Sequence, residues 1–299
     1  MQAPTTFQAI ILGLVQGITE FLPISSTAHL RVVPALLGWD DPGAAFTAVI
    51  QLGTLAATIV YFRTDLWNLT VGALKAIGDG KPFETHDSRL AFGIVIGTIP
   101  IGVLGLAFKH LIEGELRSLV VVSTALIVLA IVLFIAERTA RHARDFSQMT
   151  FLDAFLIGCG QTCALIPGCS RSGSTITAAL FLGLKRDTAA RFSFILGIPA
   201  VGAAGLWELK SIVKHHELGS ALIGPTVIAS VVAFVSGLGA IAFLVRFLQR
   251  NSTVSFVVYR IALGTTLLSL IATHHLNPNA GVAPKEPPAS DQNLVGRTR

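Results

Sequence analysis

Two short polar runs in this 299-residue chain carry side chains that can do chemistry, and both interrupt apolar sequence. The first is Gln16-Gly-Ile-Thr-Glu20-Phe-Leu-Pro23-Ile-Ser25-Ser26-Thr27-Ala-His29. Gln16 and Glu20 are four apart and share a helix face. The residue before a proline avoids the α conformation, so that helix ends near Leu22 with Glu20 in its last turn. Ser25, Ser26 and Thr27 follow the break, and one of them suits the N-cap of a second helix. His29 lies about one turn beyond Ser26. Taken singly, Ser26 reads as a cap and His29 as a hydrogen-bonded histidine. A carboxylate in an apolar segment demands a partner, and with hydroxyls and an imidazole beside it the cluster reads as a site for nucleophilic or acid–base chemistry.

The second run is Pro167-Gly168-Cys169-Ser170-Arg171-Ser172-Gly173-Ser174-Thr175. Its residue types make an anion cradle. Glycine lets backbone approach closely, and the hydroxyls of Ser170, Ser172 and Thr175 are donors. A helix starting here aims free N–H groups and a positive dipole end at the turn. Arg171 adds a planar fork that matches phosphate oxygens. The plainer reading is a capped helix start with an arginine reaching for the membrane interface.

The elements that hold these runs are membrane helices. Hydrophobic residues make up 52% of the chain and charged residues 13%, with a mean hydropathy of +0.70, about half the usual charge of a soluble domain. Apolar runs at 43–62, 92–108, 118–136, 192–207, 221–245 and 254–273 are each close to the ~20 residues that cross a bilayer core, and all six are expected to span it. Residues 7–37 and 151–183 differ, because each contains charge and is broken, at Pro23 and at Pro167-Gly168. Such breaks are tolerated at depth only where protein or a water-filled cavity covers them, so each is expected to be a re-entrant helix pair. The basic residues lie in short loops, not in one basic face, which excludes nucleic acid as a partner. Cys159, Cys163 and Cys169 form no Cys-x-x-Cys pair and read as packing residues. Residues 1–6 carry no basic n-region of a signal peptide.

The two broken segments also resemble each other. Pro23-Ile24-Ser25-Ser26 falls on Pro167-Gly168-Cys169-Ser170 at an offset of 144, as does Leu52-Gly53 on Leu196-Gly197. The expected fold is an all-α polytopic membrane protein with an inverted-topology repeat, each half a re-entrant helix pair plus three transmembrane helices. The halves run over about 7–136 and 151–273, within a single domain 1–273, followed by a polar tail 274–299 expected to be disordered. The loops 63–91, 137–150, 184–191 and 246–253 hold twelve Lys or Arg, against four in 38–42, 109–117 and 208–219. The richer side is expected to be cytoplasmic, with both termini outside.

The run from Gly17 through Glu20, Pro23 and Ser26 to His29, and the run from Pro167 through Arg171 to Thr175, resemble the two signatures of the undecaprenyl pyrophosphate phosphatase family. The likeness extends through the hydrophobic frame from about Phe7 to Thr273. The family pattern allows Glu or Gln at position 16, and Gln here leaves one carboxylate in the motif. The resemblance implies hydrolysis of undecaprenyl diphosphate to undecaprenyl phosphate and inorganic phosphate, which recycles the lipid carrier of cell-wall synthesis and confers bacitracin resistance. It also implies dependence on a divalent cation and a site open to the outer face of the plasma membrane. Partners expected are a polyprenyl diphosphate, the bilayer and, as an option, a second copy of the chain.

The residues suit that chemistry. Arg171 and the groups around it (Gly168, Ser170, Ser172, Thr175), with Ser25 and Thr27, are assigned to the diphosphate oxygens. Ser26 is the candidate nucleophile, with His29 as its base; the rival assignment makes His29 the nucleophile or the activator of water. Glu20, with Gln16, would hold Mg2+ or Ca2+ or act as acid and base. A transporter is the alternative class, since broken helices in inverted repeats typify alternating access. A phosphatidic-acid-type phosphatase is disfavoured because Thr177, not a histidine, stands six residues after Arg171. No Walker A loop occurs.

Overall fold

The computed structural model describes residues 4–215 and 220–279. The expected tail lies outside the described residues beyond Asn279. Its first residues fold back: Leu276 is buried between α-helical segments, and the Leu119 N–H donates to the Pro278 carbonyl.

The first half contains α1 (Thr6–Phe21), α2 (Ser26–Leu37), α3 (Gly43–Tyr61), α4 (Arg63–Gly78), α5 (His86–Ala107), the short α6 (Lys109–Glu113) and α7 (Leu119–Thr139). The second contains α8 (Phe151–Gln161), α9 (Arg171–Phe181), α10 (Arg186–His215), α11 (Ser220–Arg250) and α12 (Val254–Ala272). Starts are encoded locally. Thr5 and Thr150 form capping boxes with Gln8 and Asp153, and Thr85 caps α5 through the Ser88 N–H. Among the described residues five helices, α5, α7, α10, α11 and α12, are long and apolar enough to cross a membrane, or six if the bent α3–α4 pair is one span. The chain is an all-α, multi-pass membrane protein.

The loop expected at 63–91 is largely helix. α4 leaves α3 at Phe62 with a bend of 76° and packs against α5, while Trp67, Leu74 and Ile77 stay exposed. Its charges had marked it as a loop, yet its sequence alternates apolar and polar faces as an amphipathic helix does.

Both broken segments form pairs of short helices that pack on each other, α1 with α2 and α8 with α9. Between the halves, α1 packs on α11 and α8 on α5; α3 meets α10, and α7 meets α12. Exchanging the halves in sequence order leaves these pairings unchanged. Glycine makes the equivalent contacts close: a Cβ on Gly17 would lie 2.6 Å from the Ala233 carbonyl oxygen of α11, and one on Gly158 would lie 2.2 Å from that of Gly97 on α5. Small residues at such crossings let backbones approach where lipid offers no hydrophobic drive between helices.

Four ion pairs cluster among the basic loops: Arg191–Asp65, Arg186–Glu137, Arg144–Asp153 and Lys185–Asp145. Arg191–Asp65 and Arg186–Glu137 tie the two halves together at that end, and the other two hold the connecting segment to the second half.

Candidate active site

The two breaks are built alike. Ser25 caps α2, its hydroxyl accepting from the Ala28 N–H, and Ser170 caps α9 through the Gly173 N–H. Both serines have positive φ, 76° and 70°, a strained conformation for a residue with a Cβ. Ser25 pairs with Thr27, and Ser170 with Ser172, each at 3.1 Å between hydroxyl oxygens. Geometry therefore aligns Ser25 with Ser170, at an offset of 145 and not the 144 seen at the prolines. The second break has one more residue before its cap. Ser26 and Arg171 are then equivalent: each opens its helix, with first-turn N–H groups that have no intrahelical partner.

Glu20, at the end of α1, joins the breaks. Its Oε1 accepts from Arg171 Nη2 at 3.0 Å, and its Oε2 accepts from Ser26 Oγ at 2.6 Å and from Gln16 Nε2 at 3.1 Å. The carboxylate and guanidinium are 5% and 13% exposed. A second fork nitrogen of Arg171 donates to the Ser193 carbonyl on α10. Gly197, one turn further, makes room for this fork, since a Cβ there would lie 1.7 Å from Nη1.

The cluster borders a cavity of about 320 Å³. Glu20, Ser26, Thr27, Ser170 and Arg171 line it, with Leu30, Ile101, Leu165 and Val201 among its apolar walls. Two helix N-termini and a guanidinium thus face one cavity, which is an arrangement for an anion. Gly168, Ser172, Thr175 and Ser25 do not line it. Ser172 donates to the Leu22 carbonyl, and Thr175 bonds Ser193, so their hydroxyls hold the breaks in place. Ser25 and Gly168 shape the two turns, with Gly168 at φ +100° against the Val122 carbonyl.

His29 stands apart from Ser26. Its Nδ1 donates to the Ser25 carbonyl at 2.7 Å, and its Nε2 meets the Tyr259 hydroxyl at 2.6 Å. Both ring nitrogens are engaged, and the group within reach of the Ser26 hydroxyl is Glu20. The Ser26 hydroxyl donates to Glu20, while the His29 ring nitrogens bond the Ser25 carbonyl and the Tyr259 hydroxyl.

Arg260 of α12 passed unremarked in the sequence, inside a run counted as apolar. It is fully buried and donates to five carbonyls, those of Pro23, Ala125, Leu126, Gly168 and Cys169, at 3.0–3.5 Å. One side chain therefore fastens both breaks. The signal that could have found it is the charge itself, since an arginine within a membrane span is a functional candidate by default.

No group of three or more His, Cys, Asp or Glu side chains that could hold a metal occurs among the described residues. A hard cation at Glu20 would use oxygen donors. One is in waiting: Gln16 Oε1 is buried without a hydrogen-bond partner. With Glu20 and the Ser26 hydroxyl it makes a partial shell that substrate oxygens and water would have to complete.

The sequence profile of a family described as "Bacitracin resistance protein BacA" matches residues 9–266. An undecaprenyl-diphosphatase of Myxococcus xanthus (strain DK1622) is 52% identical over 281 residues, covering 94% of each chain. Undecaprenyl-diphosphatases of Chlorobium phaeobacteroides (strain BS1) and Chlorobaculum parvum (strain DSM 263 / NCIMB 8327) are 50% and 52% identical, covering 91% of this chain and 99% of theirs. The family match takes in both breaks and the helices between them and runs into α12 as far as residue 266, and the chain belongs to the bacitracin resistance protein BacA family.

Proposed function

We propose that this protein is an undecaprenyl-diphosphatase: a membrane phosphatase that hydrolyses undecaprenyl diphosphate to undecaprenyl phosphate and inorganic phosphate. The observation that carries the reading is the Ser26–Glu20–Arg171 cluster, assembled from both halves beside an apolar-walled cavity. Phosphoryl transfer needs an aligned nucleophile, a proton acceptor and positive charge on the moving group. Ser26 Oγ attacks the terminal phosphorus as its proton passes to Glu20. The bond to the bridging oxygen breaks as that oxygen takes the proton from Glu20, and undecaprenyl phosphate leaves. Water, activated by the same carboxylate, then cleaves the phosphoserine and releases phosphate. Arg171 and the N–H groups opening α2 and α9 hold the phosphoryl oxygens. His29 supports the Ser25 turn without touching the reacting atoms.

Mg2+ or Ca2+ held by Glu20, Gln16 and the substrate would add charge neutralisation at the phosphoryl oxygens. The two halves are inverted relative to one another in the membrane, a reading supported by the exchangeable helix pairings. The site opens to the extracytoplasmic side of the plasma membrane. In support, the cavity is lined from the 109–117 segment and by no residue of the four basic loops. All its groups come from one chain, so a second copy is not needed for the chemistry.

Phosphate release from undecaprenyl diphosphate by the purified protein in detergent, with and without EDTA, tests this reading. Release that falls on chelation is expected. Protein that moves the lipid across vesicles and releases no phosphate would make it a transporter.

A further inference from the structure

One face of α3 passes the reacting groups. Thr54, Leu55 and Thr58 border a narrow pocket beside Glu20 and Arg171. Thr47 and Gln51 line the larger cavity that the same two residues face. Spacings of three and four residues put all five on one side of the helix. That face therefore runs from the ion pair out along the cavity. Gln51 stands one turn, about 5 Å, from the residues beside Glu20 and Arg171.

The polar side chains of this face differ in one respect. Thr47, Thr54 and Thr58 each donate to a carbonyl of α3 itself, those of Gly43, Gln51 and Thr54, so their protons are spent within the helix. The Gln51 carboxamide has no hydrogen-bond partner among the described residues. It is half-buried and faces a cavity whose walls include Leu30, Ile101 and Val201. Two N–H donors and a carbonyl are thus held in an apolar segment with nothing in the protein to bond. A polar side chain kept at membrane depth and turned into a cavity marks a substrate path.

A substrate whose terminal phosphoryl group lies at Ser26 and Arg171 must place its other phosphoryl group, and then its prenyl chain, in the rest of the cavity. We propose that Gln51 is a substrate-binding residue whose Nε2 donates to an oxygen of the phosphoryl group that stays on the prenyl chain. The role rests on the enzymatic reading above and deepens it: the contact makes the site prefer a diphosphate to a monophosphate. A carboxamide is neutral, so it adds this bond without competing for Glu20 or Arg171, which are paired with each other. A contact made alike before and during cleavage acts mainly on KM.

The test is calorimetric titration of the full chain in detergent with methylenediphosphonate, a diphosphate analogue with no cleavable bridging oxygen, and with inorganic phosphate. The parent binds the diphosphonate more tightly than phosphate. Gln51→Met keeps an unbranched side chain of similar length and removes the donor. It weakens diphosphonate binding about ten-fold, the effect of one hydrogen bond to a charged group, and phosphate binding by less than about three-fold. In the rate assay the same variant raises KM more than it lowers kcat. Gln51→Glu keeps the shape but turns a donor into an anion, and it weakens diphosphonate binding at least as much as Gln51→Met. Should Gln51→Met not fold, Gln51→Leu takes its place with the same expectation, and either apolar variant decides alone if Gln51→Glu does not fold. A parent without preference for the diphosphonate, a loss under about three-fold in the apolar variant, equal weakening of both ligands, or a Gln51→Glu protein that binds as the parent does would overturn the assignment. Binding is read without turnover. A parent that binds as described but releases no phosphate from undecaprenyl diphosphate would refute the enzyme and leave Gln51 as a diphosphate contact.

Discussion

Replacing Arg260 by Met removes a buried side chain that bonds both breaks. The methionine fills much of the same volume without a donor, so five carbonyls lose their partner, three of them in the breaks themselves (Pro23, Gly168 and Cys169). Hydrogen bonds inside membrane proteins are worth about 0.6 kcal/mol each in double-mutant cycles. Five of them come to about 3 kcal/mol, and charge on the donor places the true figure at or above that. The α7 carbonyls of Ala125 and Leu126 belong to a helix that other contacts maintain. The loss is therefore felt at the turns that place Ser26 and Arg171. The expected result is a fall in kcat of about a hundred-fold, the rate equivalent of about 3 kcal/mol, with helical content kept and a lower melting temperature. Arg260→Lys, with three donors in place of a five-donor fork, should recover only part of the loss. Phosphate release and circular dichroism on the same detergent preparations measure both quantities. A folded Arg260→Met protein with kcat within two-fold of the parent, an allowance of about 0.4 kcal/mol, would refute the claim that this arginine sets the geometry of the site.

Three further outcomes follow from the contacts. Glu20→Gln removes the acceptor of the Ser26 proton, and kcat should fall by about 10²–10⁴ while substrate affinity is kept, because Arg171 is released from its ion pair; an unchanged kcat in the rate assay would remove Glu20 as the base. Gly197→Ala places a methyl group 1.7 Å from the present position of Arg171 Nη1, so the fork must move; activity should fall at least about ten-fold with an unchanged melting temperature. Tyr259→Phe deletes only the hydroxyl that meets His29 Nε2, and a loss of about three-fold is expected from one membrane hydrogen bond; a loss beyond about a hundred-fold would instead route the reaction's proton through His29.

The parts of this molecule that could be read from the sequence are those coded by local pattern. The apolar runs announced α5, α7 and α10–α12, and the prolines announced both breaks. Glu20, Ser26 and Arg171 stood out because polar residues in apolar segments need a reason, and the structure brings the three within hydrogen-bonding distance. What was not legible depends on contacts between distant segments. Spacing suggested His29 as the partner of Ser26, but Tyr259, 230 residues away, takes one ring nitrogen and the Ser25 carbonyl takes the other. The pairing of Asp41 with Arg117, 76 residues away, likewise joins distant segments. Arg260 was legible in principle and was hidden by averaging hydropathy over its span. The one-residue shift between the breaks was invisible because the prolines align at 144 while the caps align at 145.

The account stands on Arg171 reaching across from the second half to the phosphoryl group that Ser26 attacks. Its most direct test is the rate of phosphate release from undecaprenyl diphosphate by purified Arg171→Ala protein whose melting temperature matches the parent's. A loss of at least about 10³-fold in kcat is predicted from removing the guanidinium that steadies the transferring group. A folded Arg171→Ala protein that keeps a tenth or more of the parent rate, a loss of no more than about 1.4 kcal/mol, would contradict it.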